Sequence, residues 1–422
     1  MERRDFLIRG GLALGAATVA ARTTLARTPH SEEWQPHDWA WVRSQFDLMD
    51  PKVANFGGFY LVSHPKTVRA AIEKHRAGLD RNPLEYHHNG WELEDAVRET
   101  AGEFLGVDGK NEIALTDSTT QGLAALYSGI KIAPGQEILT SIHDHPAATH
   151  KTLALKAARD GTKVERIPLY AKSSAASVDE MVGNVERAIT PRTRVLALTW
   201  VHSNTGVKTP IRAISEVVTK ANADRSPEDR LLFCVDGVHG LGIDNVTLPE
   251  LGCDFLAAGT HKWIFSPRGT GILWGKAEAW KHVVPVIPAF GNNQRPGIQF
   301  SPGGFHSFEH RWAQDEGFKL HLTIGRSRVE ARIHELNRAI REGLSKMKHV
   351  ELHTPMSDAL SAGIVCFDVK GKKPDVVIKH LASRGIMGSQ SPYTPSCARL
   401  AASVWNTEEE VERAVTAVGD MA

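Results

Sequence analysis

The chain has 422 residues, 41% of them hydrophobic, enough for one large domain and a smaller one with buried cores, which excludes a largely disordered polypeptide. Lysines and arginines number 50 against 49 acids, for a formal charge of +1. With no long basic run, the composition argues against a nucleic-acid or membrane-surface partner and leaves a small molecule as the expected one.

Arg3-Arg4-Asp5-Phe6-Leu7 leads into an apolar, Gly/Ala-rich stretch from Gly10 to Ala21, well short of the ~20 residues of a membrane-spanning helix. Small residues at Thr24-Leu25-Ala26 offer a cleavage point, so residues 1–26 are expected to be a twin-arginine export signal. Cleavage after Ala26 leaves a mature chain with a formal charge of −1 in the periplasm, without stable membrane association. The four cysteines, Cys234, Cys253, Cys366 and Cys397, have no paired spacing and are expected to be buried thiols.

Short apolar runs then alternate with amphipathic stretches, the pattern of an α/β domain with a mostly parallel sheet. Strands are expected at Ile113–Leu115, Glu137–Ser141, Val164–Ile167, Val195–Trp200, Leu231–Val235, Phe255–Ala258 and Gly271–Trp274. Between them, Thr119–Ile130, Thr149–Asp160, Val178–Ile189 and Ile211–Ala221 read as helices. From Trp280 to Gly304 a Pro-, Gly-, Asn- and Gln-rich stretch suggests a long loop near the active site, followed by one long helix from His310 to Lys346. The expected division is a large domain over 50–305 and a small α+β domain from 27–49 and 306–422.

Val235-Asp236-Gly237-Val238-His239 and Thr260-His261-Lys262-Trp263 are the most informative segments. A strand-end acid and a strand-end lysine can grip opposite ends of one flat cofactor, the carboxylate at a ring nitrogen and the amine at an aldehyde. Pyridoxal 5′-phosphate (PLP) answers that description, since a protonated pyridine is an electron sink for a substrate carbanion. Alone, Lys262 beside Trp263 reads as a surface lysine, and Asp236 as a turn cap; together they do not. His239 can reach the same crevice.

Ser118, Thr119 and Thr120 stand where a strand hands over to a helix, a geometry that serves a phosphate or a plain helix cap equally well. In His143-Asp144-His145, His145 can stack on the cofactor ring; the rival, metal ligation, lacks a further His/Asp cluster at ligand spacing, so no metal is expected. Arg399 suits an amino-acid carboxylate, with a surface salt bridge as the plainer alternative.

In order and spacing, these blocks, with the Asn204-Thr205-Gly206 turn and the late Asn406-Thr407, resemble the class V aminotransferase family over roughly Asn55 to Asn406. The family comprises PLP enzymes of fold type I, among them cysteine desulfurases and isopenicillin-N-epimerase-like proteins. The resemblance implies a mostly parallel seven-stranded sheet in a large domain, a smaller α+β domain, and a homodimer. It implies that Lys262 is the Schiff-base lysine, that Asp236 holds the pyridine nitrogen and that His145 stacks on the ring. By the same resemblance Asn204 and His239 lie near the phenolate oxygen, Ser118, Thr119, Thr120 and His261 bind phosphate, and Arg399 with Asn55 binds substrate.

Two departures stand out. Gly388-Ser389-Gln390-Ser391-Pro392-Tyr393-Thr394 lacks the nucleophilic cysteine that desulfurases carry on this loop, and Phe308-Glu309-His310-Arg311-Trp312-Ala313 lacks the threonine that many relatives offer to the partner subunit's phosphate. Asn82-Pro83-Leu84-Glu85-Tyr86 and His-Lys-Trp resemble the isopenicillin-N-epimerase-like branch, and the export signal with Asp236–Gly240, Thr260–Trp263 and Pro302–Arg311 resembles, within it, periplasmic enzymes that tailor the glutamyl group of a pyoverdine-type siderophore. The expected activity is therefore at the α-carbon of an amino acid or glutamyl group, free or peptidic, by oxidative or transamination-type chemistry. Epimerase or racemase and C–S or C–N lyase activities are the alternatives on the same fold; a metal-dependent hydrolase and a non-catalytic binder are those of another class.

Overall fold

The computed structural model describes residues 38–290 and 293–422, so the export signal expected over 1–26 lies outside the described residues. All seven expected strands form, within a residue or two at each end, and make one sheet: β1 (Ile113–Thr116), β2 (Glu137–Ser141), β3 (Lys163–Ile167), β4 (Thr193–Thr199), β5 (Leu232–Asp236), β6 (Phe255–Gly259) and β7 (Gly271–Gly275), in the order β1-β7-β6-β5-β4-β2-β3. β3-β2-β4-β5-β6 pair in parallel, and β7 runs opposite to both its neighbours. That double reversal brings the carboxyl end of β1 to the same rim as those of β2, β4, β5 and β6.

Burial explains the strand sequences. β4, β5 and β6 are buried at every position, as expected of strands covered by helices on both faces, and read as near-continuous apolar runs. β3, at the edge, reads Lys-Val-Glu-Arg-Ile and is mostly exposed; its charges discourage pairing with another chain.

The expected helix from His310 to Lys346 is three: Phe308–Trp312, Asp315–Ile324 and Arg326–Ser345. Gly325, at φ +93°, lies in a region side-chain-bearing residues avoid, and it breaks the helical path while the apolar periodicity runs on across it. The expected helix starting at Thr149 begins with a π-helical turn, Pro146–Lys151, and is α-helical from Thr152 to Asp160. Two 16-residue helices, Lys66–Arg81 and Gly90–Leu105, went unanticipated. The first buries only Val68 and His75, too narrow a stripe to register as a period.

Beyond the long loop lies a four-stranded antiparallel sheet, β8 (Val350–Leu352), β9 (Val365–Val369), β10 (Ser389–Gln390) and β11 (Ala398–Leu400), in the order β10-β11-β9-β8. Its apolar face packs with Leu336, Ile340 and Leu344 and with Val411, Ala414 and Val418. Ala54–Asn55 pairs in parallel with Ile386–Met387, tying the start of the described chain to this sheet. Among the described residues no helix is long and apolar enough to cross a membrane.

Candidate active site

The rim formed by β1, β2, β4, β5 and β6 opens into a cavity of about 600 Å³, closed on the other side by the segment around β10 and β11. Ser118, Thr119, Thr120, His145, Asp236, His239, His261, Lys262 and Arg399 all line it. Such a crevice at the carboxyl ends of parallel strands is where α/β sheets offer ligand sites.

At the centre, Asp236 is the last residue of β5 and 2% exposed. Its carboxylate accepts from the Val238 backbone N–H at 3.2 Å. Burial pushes this carboxyl up to about 6, against the opposing pull of that hydrogen bond and of Lys262. A buried carboxylate with so few donors is suited to a cationic N–H partner. Lys262, from the turn after β6, is brought down to about 8 because burial disfavours its ammonium; Arg399 acts in the same sense and Asp236 against it. Its Nζ lies 3.4 Å from Nε2 of His239. His239 is held far below an ordinary histidine, by burial first and then by Lys262 and Arg399, so it is neutral.

At the phosphate side, α1 (Thr119–Gly129) directs its N-terminus at the cavity. Ser118 is its cap, accepting from Gln121 N at 3.1 Å. Thr119 accepts from Gly259 N at 2.7 Å, which ties the helix start to the end of β6 and leaves the hydroxyl hydrogen for a ligand. Helix-start N–H groups and hydroxyls suit an anion. His261 stands close by: a side chain at Gly259 would come within 2.8 Å of its ring.

The three side chains of His143-Asp144-His145 go three ways. His143 stacks on Tyr170, with ring centroids 3.9 Å apart. Asp144 turns into the sheet, accepting from Thr140 Oγ1, Ser141 N and Thr199 N at 2.8, 2.7 and 2.6 Å. Only His145 lines the cavity, its Nδ1 accepting from Ala147 N and Ala148 N at 3.1 Å each. One His/Asp/Glu group gathers elsewhere among the described residues, Asp244, Glu330 and His334, but Lys208 Nζ already sits 2.9 Å from Asp244.

At the substrate side, Arg399 is 4% exposed and its guanidinium is fixed on three sides: Nε donates to Ser389 Oγ at 3.1 Å, and Nη1 and Nη2 donate to Ser203 O and Gln390 O at 3.0 Å each. The guanidinium also lies 4.7 Å from the centre of the Phe59 ring. One N–H on each terminal nitrogen remains, the pair a carboxylate takes in bidentate fashion. Tyr393 completes the wall, its hydroxyl 2.8 Å from Ser203 Oγ and its ring edge-on to His145 at 5.7 Å.

Two expected ligands stand elsewhere. Asn55 lines a different pocket, beside Arg43 and Trp405; its side chain accepts from Gly57 N at 2.8 Å and its carbonyl from Trp405 and Asn406. Asn204 sits behind the wall, accepting from Ser391 Oγ at 2.6 Å, while its carbonyl takes the Cys397 thiol at 3.2 Å. The stretch expected as a loop from Trp280 to Gly304 includes the short helices Trp280–His282 and Pro296–Gln299, and Phe290, Ile298 and Pro302 from it line a separate pocket with Trp91 and Trp312. Sequence reading missed Phe59, Ser203 and Tyr393 as cavity residues; for Phe59, 340 residues before the arginine it supports, no local signal exists.

PLP fits this donor set: a buried acid short of hydrogen bonds for the ring nitrogen, an amine with depressed proton affinity for the aldehyde, and a helix start with free hydroxyls for the phosphate. Among relatives, the isopenicillin N epimerase of Amycolatopsis lactamdurans is 25% identical over 405 residues, covering 91% of this chain and 98% of that protein. A probable cysteine desulfurase of Vibrio cholerae is 23% identical over 410 residues, covering 89% and 96%. Among solved structures, C-DES with glycine linked to its PLP cofactor superposes with a TM-score of 0.82 at 21% identity, covering 90% of this chain and 99% of that one. The desulfurase CsdA of Escherichia coli gives 0.77 at 20%, covering 92% and 99%. The family model described as aminotransferase class-V matches residues 63–414, and the chain belongs to that PLP-dependent family.

Proposed function

We propose that the chain is an exported PLP enzyme acting at the α-carbon of an amino acid or of a glutamyl group carried on a larger molecule, in oxidative or transamination-type tailoring of a siderophore side chain. The observation that carries the amino-acid part is the pairing, in one cavity, of the depressed amine of Lys262 with the half-satisfied guanidinium of Arg399. Export and the siderophore rest on the N-terminal arginine pair and on the resemblance of the His-Lys-Trp and Pro302–Arg311 segments.

Bound PLP supplies an electron sink for charge developing at the substrate's α-carbon. Asp236 keeps a proton on the ring nitrogen, Arg399 orients the substrate by its carboxylate, and Lys262 Nζ takes the α-proton and returns it. His145 and Tyr393 also line the cavity, their rings edge-on at 5.7 Å. Serines and a tyrosine where desulfurases carry cysteine argue against persulfide chemistry. A homodimer is part of the proposal, supported by the exposed Trp91, Phe290 and Phe305 gathered around the separate apolar pocket.

The test is the near-visible absorption of the purified protein under air, before and after L-glutamate or a glutamyl-bearing siderophore precursor. A PLP band that is absent in Lys262→Ala and altered by the ligand is expected; a colourless protein that PLP cannot reconstitute would end the proposal. Epimerisation is the second reading, because Tyr393 lines the cavity together with Lys262 and gives it a second group that can carry a proton. Solvent deuterium incorporated with inversion, and no keto acid, would favour it.

A further inference from the structure

Lys262 is followed by Trp263, which the chemistry above does not use. Its ring is 1% exposed, and its indole Nε1, a donor only, is 3.2 Å from Nδ1 of His239. The indole is held in place from several sides. The Trp263 carbonyl accepts from His321 Nε2 at 2.6 Å, a side chain at Gly242 would stand 2.8 Å from that carbonyl, and one at Gly363 would stand 2.6 Å from the far edge of the ring.

A neutral imidazole has one N–H and one lone pair. With the lone pair at Nδ1 committed to the indole, the proton must sit at Nε2, the nitrogen that faces Lys262 Nζ at 3.4 Å. An ammonium there would set N–H against N–H, whereas a free amine offers a lone pair. We propose that Trp263 is a positioning residue: through its indole N–H it fixes His239 as a one-way donor toward the cavity, and so holds the Lys262 nitrogen as a hydrogen-bond acceptor, the form that attacks an aldehyde.

The same device decides what His239 can do. It donates to an oxygen ligand in the cavity, such as the phenolate of PLP, and is barred from acting as a base. That part rests on the PLP reading; the tautomer itself does not. The charged and titratable groups around the pair are Asp236 from β5, His145 after β2, His261 on the lysine's own turn and Arg399 from β11; Phe59 supplies an uncharged wall, its ring 6.0 Å from His239. Only Asp236 among them favours the ammonium.

The experiment uses the full chain without added cofactor, labelled with ¹⁵N-histidine. The expected result at pH 7 is His239 protonated at Nε2 alone; the Nδ1–H tautomer, or both nitrogens protonated, would overturn the proposal even with no variant made. Trp263→Phe keeps the ring plane and removes the donor. His239 should then populate the other tautomer and accept from the Lys262 ammonium. The pH profile for modification of Lys262 by an amine reagent should move up by about one pH unit, a roughly tenfold slower reaction near neutrality. An unmoved tautomer and profile in a folded Trp263→Phe protein would reduce Trp263 to a packing residue. Failure to bind PLP with the tautomer intact would instead remove the cofactor reading and leave the inference standing.

Discussion

The two walls of the cavity are built differently. On the sheet side, Asp236, His239, His261, Lys262 and Ser118 each sit at, or just after, the end of a buried strand, so their positions follow from the strands themselves. On the loop side, Arg399 is oriented by Phe59, Ser203 and the adjacent Ser389 and Gln390, which come from three segments of the chain. The sheet side is thus a set of local consequences of strand burial, and the loop side a product of assembly. Chemistry common to the family is expected to reside in the first, and substrate choice in the second.

The largest effect expected is that of Lys262→Ala, which removes the amine on which cofactor attachment and proton transfer both depend; turnover should fall by at least about 10³-fold and the near-visible PLP band should be lost. Retention of both would show that the sheet wall does not carry the chemistry. Asp236→Asn should still bind PLP, with turnover down roughly 10²- to 10³-fold, since an amide cannot hold the ring nitrogen protonated.

The same variant has a second consequence. Because the folded carboxyl is raised to about 6 from 3.8, the native state keeps a proton that the unfolded chain releases, and stability from this group falls as pH rises between those values. Cofactor-free Asp236→Asn should therefore melt no lower than the parent at pH 7, and calorimetry across pH 4 to 7 should show a weaker decline.

Arg399→Lys tests the loop wall. The charge remains, but the fork and its three anchoring bonds go, so kcat/KM for amino-acid substrates should drop about 10- to 100-fold with the PLP spectrum of the free enzyme unchanged. A changed spectrum would mean that the two walls are not separable. Gly363→Ala presses a methyl group on the Trp263 ring and should cost about 1–3 kcal/mol in denaturant unfolding. The smallest effect belongs to Asn55→Ala: loss of the Gly57 hydrogen bond should cost about 1 kcal/mol of stability with KM unchanged, whereas a raised KM would return Asn55 to the substrate site.

The sequence by itself determined the seven strands, most plainly β4, β5 and β6, whose burial on both faces needs uninterrupted apolar runs, and with them the residues at their ends. It also determined the absence of cysteine from the Gly388–Thr394 loop. What it could not determine were features whose signal is spread over distant residues. The glycine that divides one periodic stretch into two helices at Gly325 acts through its φ, which periodicity does not record. Asn55 and Asn204 carry the right chemistry, but their amide oxygens accept from neighbours brought up by folding, and neither residue lines the cavity. Phe59 beneath Arg399, the indole of Trp263 on His239, and Asp144 turned from the cavity into the sheet were decided only by the tertiary structure, because a hydrogen bond or ring contact depends on where side chains end up in space and not on their spacing along the chain.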